Sequence, residues 1–111
     1  MSKWSNYCNQ ILRTIDNEAF YTGELDALDC KYSKRGLEIK GTCPFKHKHL
    51  SGVDAIPSFT ANVGSGTYFC NSCGSKGNVH TFIMELKKLS RQDAWYYLGD
   101  ALGIERPAVT D

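Results

Sequence analysis

The chain has 111 residues, 41% hydrophobic and 23% charged, with a formal net charge of +1. This composition is ordinary for one small soluble globular unit, whose modest core would gain from a structural metal. No apolar run approaches the ~20 residues of a bilayer span, and the first residues lack the apolar segment of a secretory signal, so a cytoplasmic protein without membrane contact is expected.

In chain order, residues 5–18 read as an amphipathic helix, with Trp4, Tyr7, Cys8, Ile11, Leu12 and Ile15 at helical spacing. Residues 20–28 follow as a helical turn or two. Residues 30–32 and 37–40 then alternate around Ser33-Lys34-Arg35-Gly36, the signature of a hairpin. Residues 50–55 are polar and loop-like. Alternation returns over residues 58–63, with Phe59, Ala61 and Val63 on one face. Gly64-Ser65-Gly66 turns the chain, and residues 67–69 come back as a strand. Asn78 is placed as the N-cap of a helix running to about residue 88, with Val79, Phe82, Ile83 and Leu86 on its apolar face. Ser90 caps a last helix, with Asp93 three residues on and Ala94, Tyr97, Leu98 and Ala101 as its stripe. Gly103 is the expected stop.

The chemistry concentrates between Cys43 and Cys73. Cys70 and Cys73 form a Cys-x-x-Cys turn followed by Gly74, and Cys43-Pro44-Phe45 opens a second knuckle with His47 and His49 close behind. Thiolate sulfur and imidazole nitrogen are the ligands tetrahedral zinc prefers, and two short turns far apart in sequence are how a zinc ribbon is clipped together. Five cysteines, an odd number, argue against a paired disulfide framework. A redox reading of the Cys-x-x-Cys turn lacks the βαβ unit such motifs accompany. Cys8 and Cys30 are read as small buried residues.

The ligand set read from spacing is Cys43, His47, Cys70 and Cys73, with His49 the alternative to His47. Four protein ligands close the coordination sphere, so a single structural zinc and no catalytic residue are expected. A zinc deaminase is excluded, because no His-x-Glu half-site exists and Phe69 rather than proline precedes Cys70. His80 falls within a helix and is read as a packing or surface residue.

The resulting fold class is α+β: a zinc ribbon whose small antiparallel sheet, of about four strands, is flanked by N- and C-terminal helices. Residues 1–28 form the N-terminal helical segment, 29–77 the ribbon sheet, 78–104 a helical pair packed on it, and 105–111 a tail.

Charge is distributed unevenly. Residues 30–91 carry ten basic and three acidic side chains, +7, whereas the remainder carries three basic and nine acidic, −6. A basic module between acidic ends is the footprint of a polyanion partner. Lysines on a sheet neutralise phosphates while aromatics on the same face stack bases with little sequence preference. The candidate DNA-binding residues are Lys34, Arg35, Lys40, Lys46, Lys48, Tyr68 and Lys76, with Tyr32 a further aromatic; Phe59 and Phe69 are assigned to the core.

Taken in order, Cys43-Pro44-Phe45, Pro57-Ser58-Phe59, Tyr68-Phe69-Cys70-x-x-Cys73-Gly74-x-x-Gly77-Asn78, then Phe82 and Met84 resemble the N-terminal zinc-binding domain of bacterial and phage DNA primases, over residues 20–104. The sequence departs from that pattern at Lys46, which stands where the family places its Cys-Pro-x-His histidine, and in extra residues over 48–56. The fourth ligand therefore stays open between His47 and His49. The resemblance implies a module that binds single-stranded template and assists primer initiation by a separate catalytic primase, polymerase or helicase partner, with no enzymatic activity of its own. It is equally compatible with an excised module or a free-standing protein. The competing reading is a zinc-ribbon interaction module that docks on a polymerase or helicase without touching DNA.

Overall fold

The computed structural model describes residues 3–45, 58–71 and 74–107. Among them four helices and five strands follow in the order α1 (Lys3–Thr14), α2 (Asn17–Ala27), β1 (Tyr32–Arg35), β2 (Glu38–Gly41), β3 (Phe59–Asn62), β4 (Tyr68–Cys70), β5 (Lys76–Gly77), α3 (Val79–Lys87) and α4 (Arg91–Ala101). The α+β class is as expected, with helices before and after an antiparallel sheet.

The first helix is shorter than its apolar stripe implies. It ends at Thr14, and Asp16 starts α2 by accepting a hydrogen bond from the Ala19 amide at 3.1 Å. Ile15 continues the spacing of Tyr7 and Ile11, so periodicity runs through a break that a capping carboxylate makes. The second helix, expected as a turn or two, has 11 residues. It closes with Asp29 in the left-handed region (φ 56°), the Cys30 amide donating to Leu25 O and the Asp29 amide to Asp26 O. This reverse-turn cap occupies Cys30, and β1 starts at Tyr32 instead of residue 30.

The strands lie in sequence order, each pair antiparallel. The fifth strand, absent from the sequence reading, has two residues, too few to carry a period of two. Because antiparallel partners share a face, the register sorts the sheet into two sides. Lys34, Ile39, Ala61, Tyr68 and Gly77 form one row on the helix side; Ser33, Lys40, Thr60, Phe69 and Lys76 form the adjacent row on the other.

The helix side is the core. Ile39, Phe59, Ala61, Tyr68 and Cys70 are buried with Tyr7, Ile11, Tyr21, Leu25, Val79, Phe82, Ile83, Ala94 and Leu98 from all four helices. At its centre Tyr21, Phe45, Phe59, Tyr68 and Phe82 form an aromatic cluster, with rings such as Tyr21–Phe82 and Tyr68–Phe82 meeting edge to face at 5.0 and 5.4 Å. Such pairs add about 0.5–1.5 kcal/mol each beyond their burial. The Tyr21 hydroxyl reaches through the core to donate to Gly66 O at 2.6 Å, tying α2 to the β3–β4 turn.

Both later caps are as expected. Asn78 accepts from the Thr81 amide at 3.1 Å, and Ser90 from the Asp93 amide at 3.1 Å. Gly103 (φ 72°) follows the end of α4. No helix among the described residues is long and apolar enough to cross a membrane.

Candidate metal centre and nucleic-acid face

The first cysteine of each expected half-site lies at the same end of the sheet. Phe59, the first residue of β3, is the register partner of both Gly41 and Cys70. Cys43, two residues past Gly41, and Cys70, the last residue of β4, therefore leave the sheet at the same edge. Both are buried, at 1% and 0% exposure.

The first knuckle is held by the Thr42 amide donating to Lys31 O at 3.0 Å. The Phe45 amide donates to Cys43 Sγ at 3.4 Å while its ring, fully buried, packs on Phe59 and Tyr68. In the second, the Cys70 amide donates to Ser75 O at 2.9 Å and the Gly74 amide returns to Cys70 O at 2.8 Å. Gly74 takes φ 76°, a conformation that strains any residue with a Cβ. The Asn71 amide donates to Ser58 O at 2.9 Å, and the Ser58 hydroxyl lies 3.5 Å from Cys70 Sγ.

Two buried sulfurs, one receiving a backbone N–H and the other beside a hydroxyl, fit thiolate ligands, whose charge such donors stabilise. Cys73, His47 and His49 lie outside the described residues, as do Lys46 and Lys48. Among the described residues no group of three or more His, Cys, Asp or Glu is placed to hold a metal.

His80 is a packing residue, as read from the sequence. It is 7% exposed, stacked on Trp95 at 4.1 Å, and its Nε2 lies 2.7 Å from Arg91 O. Burial holds its pKa below the ordinary value. Cys30 is buried and Cys8 half-buried.

The outer side of the sheet carries a row of different character. Phe69 is 43% exposed, one of the few large apolar side chains on the surface among the described residues. Its register partner across β5 is Lys76; on the other side come Thr60, then Lys40, then Ser33. Arg35 and Glu38 are partners in the next row on this face, and Glu38 pairs with Lys40 at 3.5 Å.

Four expectations need correction. Tyr68, assigned to base stacking, is 3% exposed and its ring is enclosed by Phe45, Phe59 and Phe82. Phe69, assigned to the core, takes the exposed position instead. The parity of a strand carries the signal that was missed: residues 68 and 70 share a face, so burying Cys70 at the metal end turns residue 69 outward. Lys34 falls on the helix side, where it pairs with Glu18 at 3.4 Å, and so does not belong to the outer face. Tyr32 is likewise on the helix side by register, and a hydrogen bond to Asp26 raises its pKa. Arg35, Lys40 and Lys76 do share the outer face.

The CHC2 zinc finger family pattern matches residues 11–111. The DNA primase of Clostridium acetobutylicum is 36% identical over 74 residues, 67% of this chain and 11% of that protein. The DNA primase of Neisseria meningitidis serogroup A is 33% identical over 97 residues, 86% of this chain and 15% of that protein. The crystal structure of the zinc-binding and RNA polymerase domains of Aquifex aeolicus primase matches with a TM-score of 0.74 at 24% identity, over 96% of this chain and 23% of that one, which shows the common fold. This chain thus spans only a small part of the length of these relatives, and the part it matches is their zinc ribbon. It belongs to the CHC2 zinc finger family of DNA primases.

Proposed function

We propose that this chain is a primase zinc module that binds single-stranded DNA template across the outer face of its sheet and assists primer initiation by a separate catalytic domain or protein. One zinc ion, held by Cys43, Cys70, Cys73 and His47 (or His49), would clip the two knuckles together. Closed by four protein ligands, it supplies folding energy and fixed geometry and no reactive position.

The observation that carries the reading is the cross-strand row around Phe69. A bare aromatic ring has Lys76 on the adjacent strand and Lys40 two strands away, roughly 10 Å by strand spacing. Sequence-tolerant binding of single strands is built from such parts: a ring for a base and cations for the flanking phosphates. Lys46 and Lys48 extend the same basic stretch in sequence. The chain spans 11–15% of the length of the Clostridium and Neisseria primases it matches, and the chemistry of nucleotide addition is assigned to the partner.

The test is fluorescence anisotropy with a labelled single-stranded oligonucleotide. Phe69→Ala is expected to weaken binding about tenfold, within the ~1–3 kcal/mol of one base–aromatic stack. Lys40→Gln and Lys76→Gln should each flatten the salt dependence by about 0.7 in log–log slope, the contribution of one phosphate contact. Binding unchanged in Phe69→Ala, or absent from the zinc-loaded wild type, overturns this reading and favours docking without DNA contact.

A further inference from the structure

The chain has five cysteines, and the ligand set read from spacing uses three of them. The strand register sets a fourth, Cys30, beside one of those three. Tyr32 on β1 faces Gly41 on β2, and the Thr42 amide, donating to Lys31 O at 3.0 Å, carries the same pairing one step beyond the strands. The next pair in that register is Cys30 with Cys43. Hydrogen-bonded and non-hydrogen-bonded pairs alternate along an antiparallel ladder. After Lys31 and Thr42 this pair is of the second kind, whose side chains stand closer and whose Cα atoms are typically about 4.5 Å apart. A disulfide spans Cα separations of about 4.4–6.8 Å.

Burial agrees with the register. Tyr32 and Gly41 lie on the helix side of the sheet, and residues two further out along each chain fall on that side too. Cys30 is 7% exposed and Cys43 1%, and both belong to the core cluster. Cys30 is also held in place from α2: its amide donates to Leu25 O at 2.9 Å, and its thiol reaches Leu28 O at 3.9 Å. Packing alone asks only for a small apolar residue there. A thiol opposite a second thiol adds a reaction.

We infer that Cys30 and Cys43 are a redox pair: under peroxide they close to a disulfide, which withdraws Cys43 from the proposed zinc set and opens the first knuckle. For its effect on the metal the inference rests on that ligand set. The Cys43 thiolate attacks one oxygen of hydrogen peroxide, the O–O bond breaks and hydroxide leaves. Cys30 Sγ then attacks the resulting sulfenic sulfur; the S–S bond forms, and the sulfenic oxygen departs as water with the Cys30 thiol proton. Peroxide is reduced and the two sulfurs are oxidised, and a dithiol reverses the bond. Oxidation follows exposure, so burial makes the pair respond to sustained oxidant and not to a trace. Cys70 and Phe69 share one strand, so template binding would be lost with the metal and return with it.

The experiment treats the zinc-loaded full chain and its Cys30→Ala variant with hydrogen peroxide. A chromogenic chelator reports released zinc, and alkylation, digestion and mass spectrometry map the sulfurs. Wild type should release its zinc and yield a linked Cys30–Cys43 peptide, and dithiothreitol with added zinc should restore the metal content in full. In Cys30→Ala, Cys43 lacks its resolving thiol and goes on to the sulfinic acid, which dithiothreitol does not reduce, so metal binding should return only in part. A Cys70–Cys73 bond with Cys30 still open to alkylation overturns the pair, as does full recovery of metal in Cys30→Ala. The wild-type map decides this even where the variant folds poorly. A linked peptide formed with zinc retained overturns the switch. A chain that binds no zinc overturns the proposed ligand set, whereas a zinc-binding chain without the Cys30–Cys43 peptide overturns this inference alone.

Discussion

At the N-terminal turn of α3 the His80 imidazole lies flat on Trp95, and because a carbonyl only accepts, its Nε2–H is the donor to Arg91 O. When neutral, the ring is thereby fixed as the Nε2–H tautomer. Burial lowers its pKa from the ordinary 6.5, so below that pH the unfolded chain takes up a proton that the folded chain resists. Stability from this group is present in full above about pH 6.5 and is lost as pH falls toward the folded pKa. His80→Phe keeps the stack without the proton. Denaturant midpoints measured from about pH 7.5 to 5.5 should fall more steeply for wild type than for the variant. Protonation of metal ligands affects both proteins alike, so the difference between the two curves isolates His80; parallel curves would count against the assignment. Single residues were also where the sequence was most and least legible. Asn78 and Ser90 announce themselves because a cap needs one side-chain oxygen at one place. Tyr68 and Phe69 were exchanged because composition weighs both as aromatics, and only the parity imposed by Cys70 separates them.

The helices illustrate how a local pattern and a packed arrangement differ. From the spacing of Tyr7 and Ile11 an apolar face of α1 is readable, but the partner of that face is not. It is α4: the Tyr7 hydroxyl donates to Trp95 O at 3.3 Å and its ring lies directly over Gly99. A Cβ on Gly99 would collide with the Tyr7 hydroxyl and ring, and the glycine is buried within a helix, where alanine is otherwise favoured by about 0.5–1 kcal/mol. Close approach decides the residue here. Gly99→Ala should destabilise the protein by about 1–3 kcal/mol, the cost of overpacking, in spite of the gain in helix propensity. Tyr7→Phe in the same background should recover part of that loss by removing the colliding hydroxyl, and a double-mutant cycle from urea titrations reads the coupling. A neutral or stabilising Gly99→Ala would mean that α1 does not pack on α4 this closely. The break between α1 and α2 was hidden for the converse reason: Ile15 keeps the apolar spacing while Asp16 ends it by hydrogen bonding.

On the scale of the whole molecule the metal end, the core and the outer face are one mechanical system. Phe45 follows Cys43 into the aromatic cluster, Phe59 sits between the two knuckles in the register, and Tyr68 and Cys70 flank Phe69 on the same short strand. The three residues of β4 therefore hold a core ring, the proposed stacking ring and a proposed ligand in succession. Loosening Cys70 loosens Phe69. The Tyr7–Gly99 contact of α1 with α4 and the Tyr97 hydroxyl bond to Glu24 at 2.7 Å, joining α4 to α2, are formed by helices alone. Chelation of zinc should thus remove oligonucleotide binding while much of the helical circular dichroism persists, and restoring zinc should return both the sheet and the binding. A chain that keeps full DNA affinity after complete zinc removal would uncouple the outer face from the metal. The same dependence sets the outcome with a catalytic partner. Alone, on single-stranded template with nucleotides and magnesium, the chain should make no primer. With a cognate catalytic domain it should raise initiation, because template held beside an active site replaces a bimolecular encounter by a local one. That gain should disappear in Cys70→Ser and shrink in Phe69→Ala. Primer made by the chain alone would overturn the accessory role, and a gain that survives Cys70→Ser would show that docking on the partner, independent of the sheet face, is what assists.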